Sequence, residues 1–181
     1  MLPTQTYQSR FSKTLAAVTV ALCAVLLVSL ALTGDPSATL RYAGPVALVG
    51  FAAWAAYWRP RIGVSDGGVE VRNVWRTVNV AWPAVQEIDT RFGLRLVTAY
   101  GAYQAWAVPP PRRETRRAGR PIEPSEGAAM VTCRWEALRA AGHLENPHLE
   151  APRARTTLHL LTLVTLAGLL AASVAVVLLA P

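Results

Sequence analysis

Charge is scarce in this chain and lysine nearly missing: 16% of the 181 residues are charged, and all but one of the 18 basic residues are arginine, the exception being Lys13. A soluble domain averages roughly 25% charged residues, so an evenly solvated globule is excluded. Cysteine is equally sparse. Cys23 and Cys133 stand far apart with no second thiol near either, which excludes a disulfide framework and a cysteine-based zinc site. Both read as small apolar residues. GxSxG, a Gly-rich phosphate loop, HExxH and paired cysteines are all missing. No catalytic residue, metal or cofactor is implied, and the chain reads as a non-enzyme.

What the chain has in abundance is apolar sequence, 52% of its residues, gathered into three runs. Residues 15–32, LAAVTVALCAVLLVSLAL, are almost wholly aliphatic. At 1.5 Å per helical residue such a run matches the hydrocarbon thickness of a bilayer, about 30 Å. The second run, 42–58, is shorter and rich in Ala and Gly. Tyr42 stands at one end and Trp54, Tyr57 and Trp58 at the other, with Arg41 and Arg59 placed to snorkel. The third, 156–180, contains no Asp, Glu, Lys or Arg. A rival reading makes the first run a signal peptide cut after Ala31. Ala43, Gly44, Ala47, Gly50 and Ala53 recur at helical spacing, a pattern for close packing against the chain's other spans or a membrane partner.

Arginine and lysine in short flanks mark the cytoplasmic side. Arg10, Lys13, Arg59, Arg61, Arg153 and Arg155 fall on one side of a three-span arrangement and Arg41 on the other. The expected plan has a cytoplasmic N-terminus (1–13), a transmembrane hairpin (14–58), a cytoplasmic domain (59–142), a linker (143–155) and a last span (156–180). The C-terminus then lies outside a plasma membrane.

Within the polar insert the period changes to two. Ile62 and Val64 lead into Asp66-Gly67-Gly68, where glycine is expected to supply a positive φ, and Val69 and Val71 then alternate with Glu70 and Arg72. Val78, Val80 and Trp82 share a face opposite Thr77 and Asn79, and Pro83 stops that strand. Runs at 85–92, 94–97 and 103–108 complete about six strands, the spacing of a sandwich or partly open barrel. Residues 109–124 form a basic, proline-rich loop. A helix over 126–141 follows, with Met130, Cys133, Ala137 and Leu138 on one face and Gly142 as its stop.

Trp58-Arg59-Pro60-Arg61, the DGG turn, VEVRN, WRTVNVAW, Pro83-Ala84-Val85-Gln86-Glu87-Ile88 and a final tryptophan strand resemble the bacterial PH-like domain family known from actinobacterial low-molecular-weight protein antigens. The resemblance covers roughly 59–108. It implies a split, strongly bent antiparallel barrel with a C-terminal helix; together with the three apolar runs the expected fold is an α+β membrane protein, with a two-helix transmembrane hairpin, a small antiparallel PH-like β-barrel or sandwich with a C-terminal helix, and a third, C-terminal transmembrane helix. It also implies a module without enzymatic activity. The first hairpin loop departs from inositol-phosphate-binding PH domains, because it is short and carries Asp66 where those domains place basic residues.

Arg112, Arg113, Arg116, Arg117 and Arg120 are the candidate binding residues, for anionic lipid headgroups or an acidic protein partner, the alternative being a solvated loop with no partner. Nucleic acid is disfavoured, since no aromatics interleave with them. His143, Glu145, His148 and Glu150 read as a solvated linker, because Pro147 breaks the helix that ligands on one face would need. His159 reads as interfacial. The function expected is a scaffold or accessory subunit of a bacterial envelope complex; the alternative is a small subunit of a transport system in which the helices carry the role.

Overall fold

In chain order the elements are β1 (Gln5–Tyr7), α1 (Arg10–Leu32), α2 (Pro36–Ala53), β2 (Arg61–Val64), β3 (Gly68–Arg72), β4 (Arg76–Ala81), β5 (Val85–Asp89), β6 (Leu94–Thr98), β7 (Gly101–Ala105), α3 (Glu126–Ala140), β8 (Arg155–Leu158) and α4 (Leu160–Leu179). They come from a computed structural model that describes residues 4–110, 125–142 and 154–179. The chain divides into a strand unit, Met1–Ser9 with Pro60–Leu158, and a helical unit, Arg10–Arg59 with His159–Pro181.

Alternation builds the strand unit. Ile62, Val64, Val69, Val71, Val78 and Val80 point from β2, β3 and β4 into one core, and Leu94 and Leu96 meet them from β6. Each such buried aliphatic side chain contributes about 1.5–3 kcal/mol. The strands form two antiparallel sheets, one ordered β1-β2-β3-β4-β8 and the other β5-β6-β7. This α+β arrangement is not a closed barrel. After β4 a short 3₁₀ turn, Trp82–Ala84, redirects the chain into the second sheet, and Trp82 Nε1 donates to the Ser65 carbonyl at 2.8 Å. Proline within that turn ends the β4 ladder, as its missing N–H requires.

Two strands were not expected from sequence. β1 pairs with β2 and β8 with β4, drawing the tail and the start of the third apolar run into the larger sheet. Both are short and polar, so no alternation betrays them. Thr156–Leu158 therefore belong to a strand, and the helix begins at Leu160. Another expectation is corrected at the β2–β3 turn: neither Gly67 nor Gly68 has a positive φ. Gly68 is needed for a different reason, since a Cβ there would run into the Val80 carbonyl on the paired strand.

α3 covers the core with a face rotated from the one expected. Gly127, Ala128 and Val131 are buried, Trp135 and Leu138 pack at the margin, and Cys133 is exposed. Gly127 lets the helix press on the Tyr7 ring, whose phenol is pushed above its usual range by burial and by Glu126 nearby. Gly142, at φ +70°, stops the helix in the left-handed region as expected.

In the helical unit, α2 packs on both α1 and α4. The glycines of its small-residue stripe make this possible: a Cβ at Gly50 would sit 3.2 Å from the Cys23 Cβ of α1, and one at Gly44 would sit 3.2 Å from Ser173 Oγ of α4. Away from the buried Ala16 and Cys23, α1 exposes large aliphatics including Val18, Leu22, Val25 and Leu26. It is the one described helix long and apolar enough to cross a membrane by length and composition. α2 ends in a π-helical turn, Trp54–Trp58. There Arg59 lies 5.4 Å from the Trp54 ring and donates to Thr162 Oγ1, while Lys13 lies 6.0 Å from the Trp58 ring.

Asp35 caps α2. Its carboxylate accepts from the Ser37 hydroxyl at 2.7 Å and from the Ser37 and Ala38 backbone N–H groups, and these bonds, the hydroxyl's first, hold its pKa below the ordinary carboxylate range. The cap is therefore fully present above about pH 3.9, the unfolded value, and is lost as pH falls through the lower folded value. Acid titration of helicity in detergent should show this loss in the native chain and lose that component in Asp35→Asn. In the strand unit, Gly68→Ala should cost about 1–3 kcal/mol in chemical unfolding followed by tryptophan emission. Gly67→Ala, with nothing within 4 Å of the new Cβ, should be near neutral.

Candidate functional site

Asn73 closes the tight turn between β3 and β4, its N–H donating to the Arg76 carbonyl at 2.9 Å. Its side chain then reaches across to the second sheet. Nδ2 donates to the Gln104 carbonyl at 2.7 Å, and Oδ1 accepts the Trp106 N–H at 3.0 Å. Since Asn73 is buried, both ends of its amide must be satisfied, and both are. The clamp brings residues more than thirty positions apart to one cleft.

That cleft has a volume of about 600 Å³ and is lined by Asn73, Trp75, Arg76, Arg95, Gln104 and Trp106. The indoles are 42% and 53% exposed, which leaves much of two large apolar rings facing outward. Arg76 lies 5.7 Å from the Tyr103 ring, a cation–π contact that holds the guanidinium at the rim. Gln104 Nε2 donates to the Phe92 carbonyl at 3.3 Å. Asp89 is the cross-strand neighbour of Arg95, and its Oδ1 accepts the Arg91 N–H. Tryptophan, arginine and amide together offer flat apolar surface and fixed positive charge.

A second concavity, about 630 Å³, lies on the outer face of the larger sheet, where Gly63 and Gly68 leave a floor without side chains. Arg61 sits over it, 3.9 Å from Glu70 and directly opposite Arg72 in the β2–β3 register. Like charges so placed repel. At the other end of that sheet Asp66 pairs with Arg134 of α3, so the acid of the first hairpin loop serves as a clasp between turn and helix.

Arg112, Arg113, Arg116, Arg117 and Arg120 lie outside the described residues, as do His143, Glu145, His148 and Glu150. His159 precedes α4, where its carbonyl accepts the Leu163 N–H at 3.1 Å. Among the described residues no three His, Cys, Asp or Glu gather as metal ligands. The cleft itself was not foreseen. Trp106 was expected inside the last strand, but β7 ends at Ala105 because the Trp106 N–H goes to Asn73. The available signal was Asn73 itself, a polar residue between the apolar Val71 and Val74.

Residues 59–121 match the family described as Bacterial PH domain, in agreement with the resemblance read from the sequence. The match reaches further than the 59–108 expected from sequence. No curated protein and no solved structure matches the chain.

Asn73→Ala leaves the Trp106 N–H and the Gln104 carbonyl without their partner. It should cost about 1–3 kcal/mol in thermal or chemical unfolding. Trp106 should also become more mobile, read as lower fluorescence anisotropy against a Trp106→Phe background.

Proposed function

We propose that this chain is an integral protein of a bacterial plasma membrane that presents its PH-like module to the cytoplasm for non-catalytic binding, as a scaffold or accessory subunit of an envelope complex. The carrying observation is α1, a 23-residue helix whose large aliphatic side chains face outward. In water that surface is costly; in lipid it is satisfied. α2 with its π-helical turn and α4 complete three spans, packed through Gly44 and Gly50. Lys13 and Arg59 beside Trp58 and Trp54 form an interfacial belt of the kind found at a cytoplasmic boundary. The PH-like match supports a binding module, and the tryptophan-arginine cleft supplies its binding chemistry.

Topology reporters test this directly. A fusion near residue 115 should report the cytoplasm and one after residue 181 the exterior; the reverse pattern sinks the reading. Mild-detergent purification of the full chain should yield the same membrane protein partner repeatedly, and a preparation consistently free of partners removes the scaffold role.

A further inference from the structure

We infer that the Trp75–Trp106 cleft is the face by which the strand unit rests on a bilayer, with Arg76 and Arg95 taking the phosphates of anionic lipid headgroups. This rests on the membrane reading above and goes beyond it by assigning the surface and its ligand.

Register is the first observation. Tyr7 pairs with Ile62, Arg61 with Arg72, and Arg76 with Leu158, so all three strands that connect to apolar helices do so at one end of the larger sheet. The β3–β4 turn, with Asn73 and Trp75, lies at that same end. Connections of one or two residues separate Tyr7 from α1 and Leu158 from α4. A helix held in lipid therefore keeps this end of the sheet within a few residues of the headgroups.

Composition is the second. Trp75 and Trp106 are exposed there, and Asn73 holds them at one cleft. Amphipathic indoles favour the headgroup layer. Among the described residues Arg61, Arg72, Arg76 and Arg95 stand at or near the same end, against Glu70 close to Arg61, Asp89 across from Arg95 and Glu126 beside Tyr7. The excess is positive, which favours an anionic surface and disfavours a cationic one. The opposite end of the sheet has a different chemistry: Ser65, Asp66 and Gly67, with Asp66 already paired to Arg134.

The test uses the full chain in vesicles with Cys23→Ala and Cys133→Ser, carrying one nitroxide label at a time on Gln104→Cys in the cleft, Gly67→Cys at the far end or Leu22→Cys in α1. Depth is read from accessibility to oxygen against a water-soluble nickel chelate. In phosphatidylcholine vesicles containing phosphatidylglycerol, the label at 104 should report headgroup depth, the one at 67 water and the one at 22 hydrocarbon. Replacing phosphatidylglycerol with phosphatidylcholine, or combining Arg76→Gln with Arg95→Gln, should move the label at 104 toward water. Each lost arginine should lower the contact constant about fivefold.

A label at 104 as wet as that at 67, with 22 still in hydrocarbon, overturns the inference and leaves the membrane reading intact. A water-exposed label at 22 overturns that reading itself. Headgroup depth at 104 that ignores both lipid charge and the two arginines overturns the anionic-headgroup assignment. Saturable immobilisation of the label at 104 by inorganic phosphate in detergent assigns the cleft to a free anion and likewise overturns it. Far-ultraviolet circular dichroism matching that of the unlabelled chain confirms that each variant is folded.

Discussion

The buried amide of Asn73 joins two sheets that share a core but no strand ladder. Its Nδ2 and Oδ1 bond to backbone on both sides of β7's end, so neither can be lost without leaving a polar group unsatisfied away from water. Everything local to the cleft follows. β7 stops at Ala105, Trp106 turns outward, Gln104 keeps its place, and Trp75 is held by the turn that Asn73 itself closes. Apolar contacts hold the sheets together; the amide sets which residues meet at their rim.

The helical unit works by the opposite means. Its close contacts are made by residues with little or no side chain, Gly50 against Cys23 and Gly44 against Ser173. Dispersion grows steeply as backbones approach, so small residues gain packing without needing a hydrophobic difference from their surroundings. Polar contacts sit at both ends, where Arg59 bonds to Thr162 and lies over Trp54 and where Asp35 caps α2. The same amino acids, tryptophan and arginine, thus recur in both units.

Much of the strand unit was legible from sequence because alternation of Val and Ile over five or six residues has one economical interpretation. Val69/Val71 and Val78/Val80 fall inward as their spacing requires, and the helix over 126–141 appears as Glu126–Ala140. Gly68 was recognised as a turn residue but for the wrong cause: the close approach of Val80 is a property of the neighbouring strand, invisible in a dipeptide pattern. β1 and β8 were missed because Gln5–Tyr7 and Arg155–Leu158 are too short and polar to have a period, and they become strands only by pairing with edges already formed. α3 turned its buried face from Cys133 to Val131 because packing against Tyr7 and the core, rather than the helix's own weak amphipathicity, chose the side.

By itself the sequence determined the apolar helices, the alternating strands, the glycine that ends α3 and the family likeness, since each depends on the chemistry of neighbours a few residues apart. The tertiary structure alone decided that Trp75 and Trp106 share a cleft, that Arg61 faces Arg72, and that Asp66 is occupied by Arg134. Those meetings depend on which strand lies beside which and on where an amide buried between sheets finds its partners, and no local spacing contains that information.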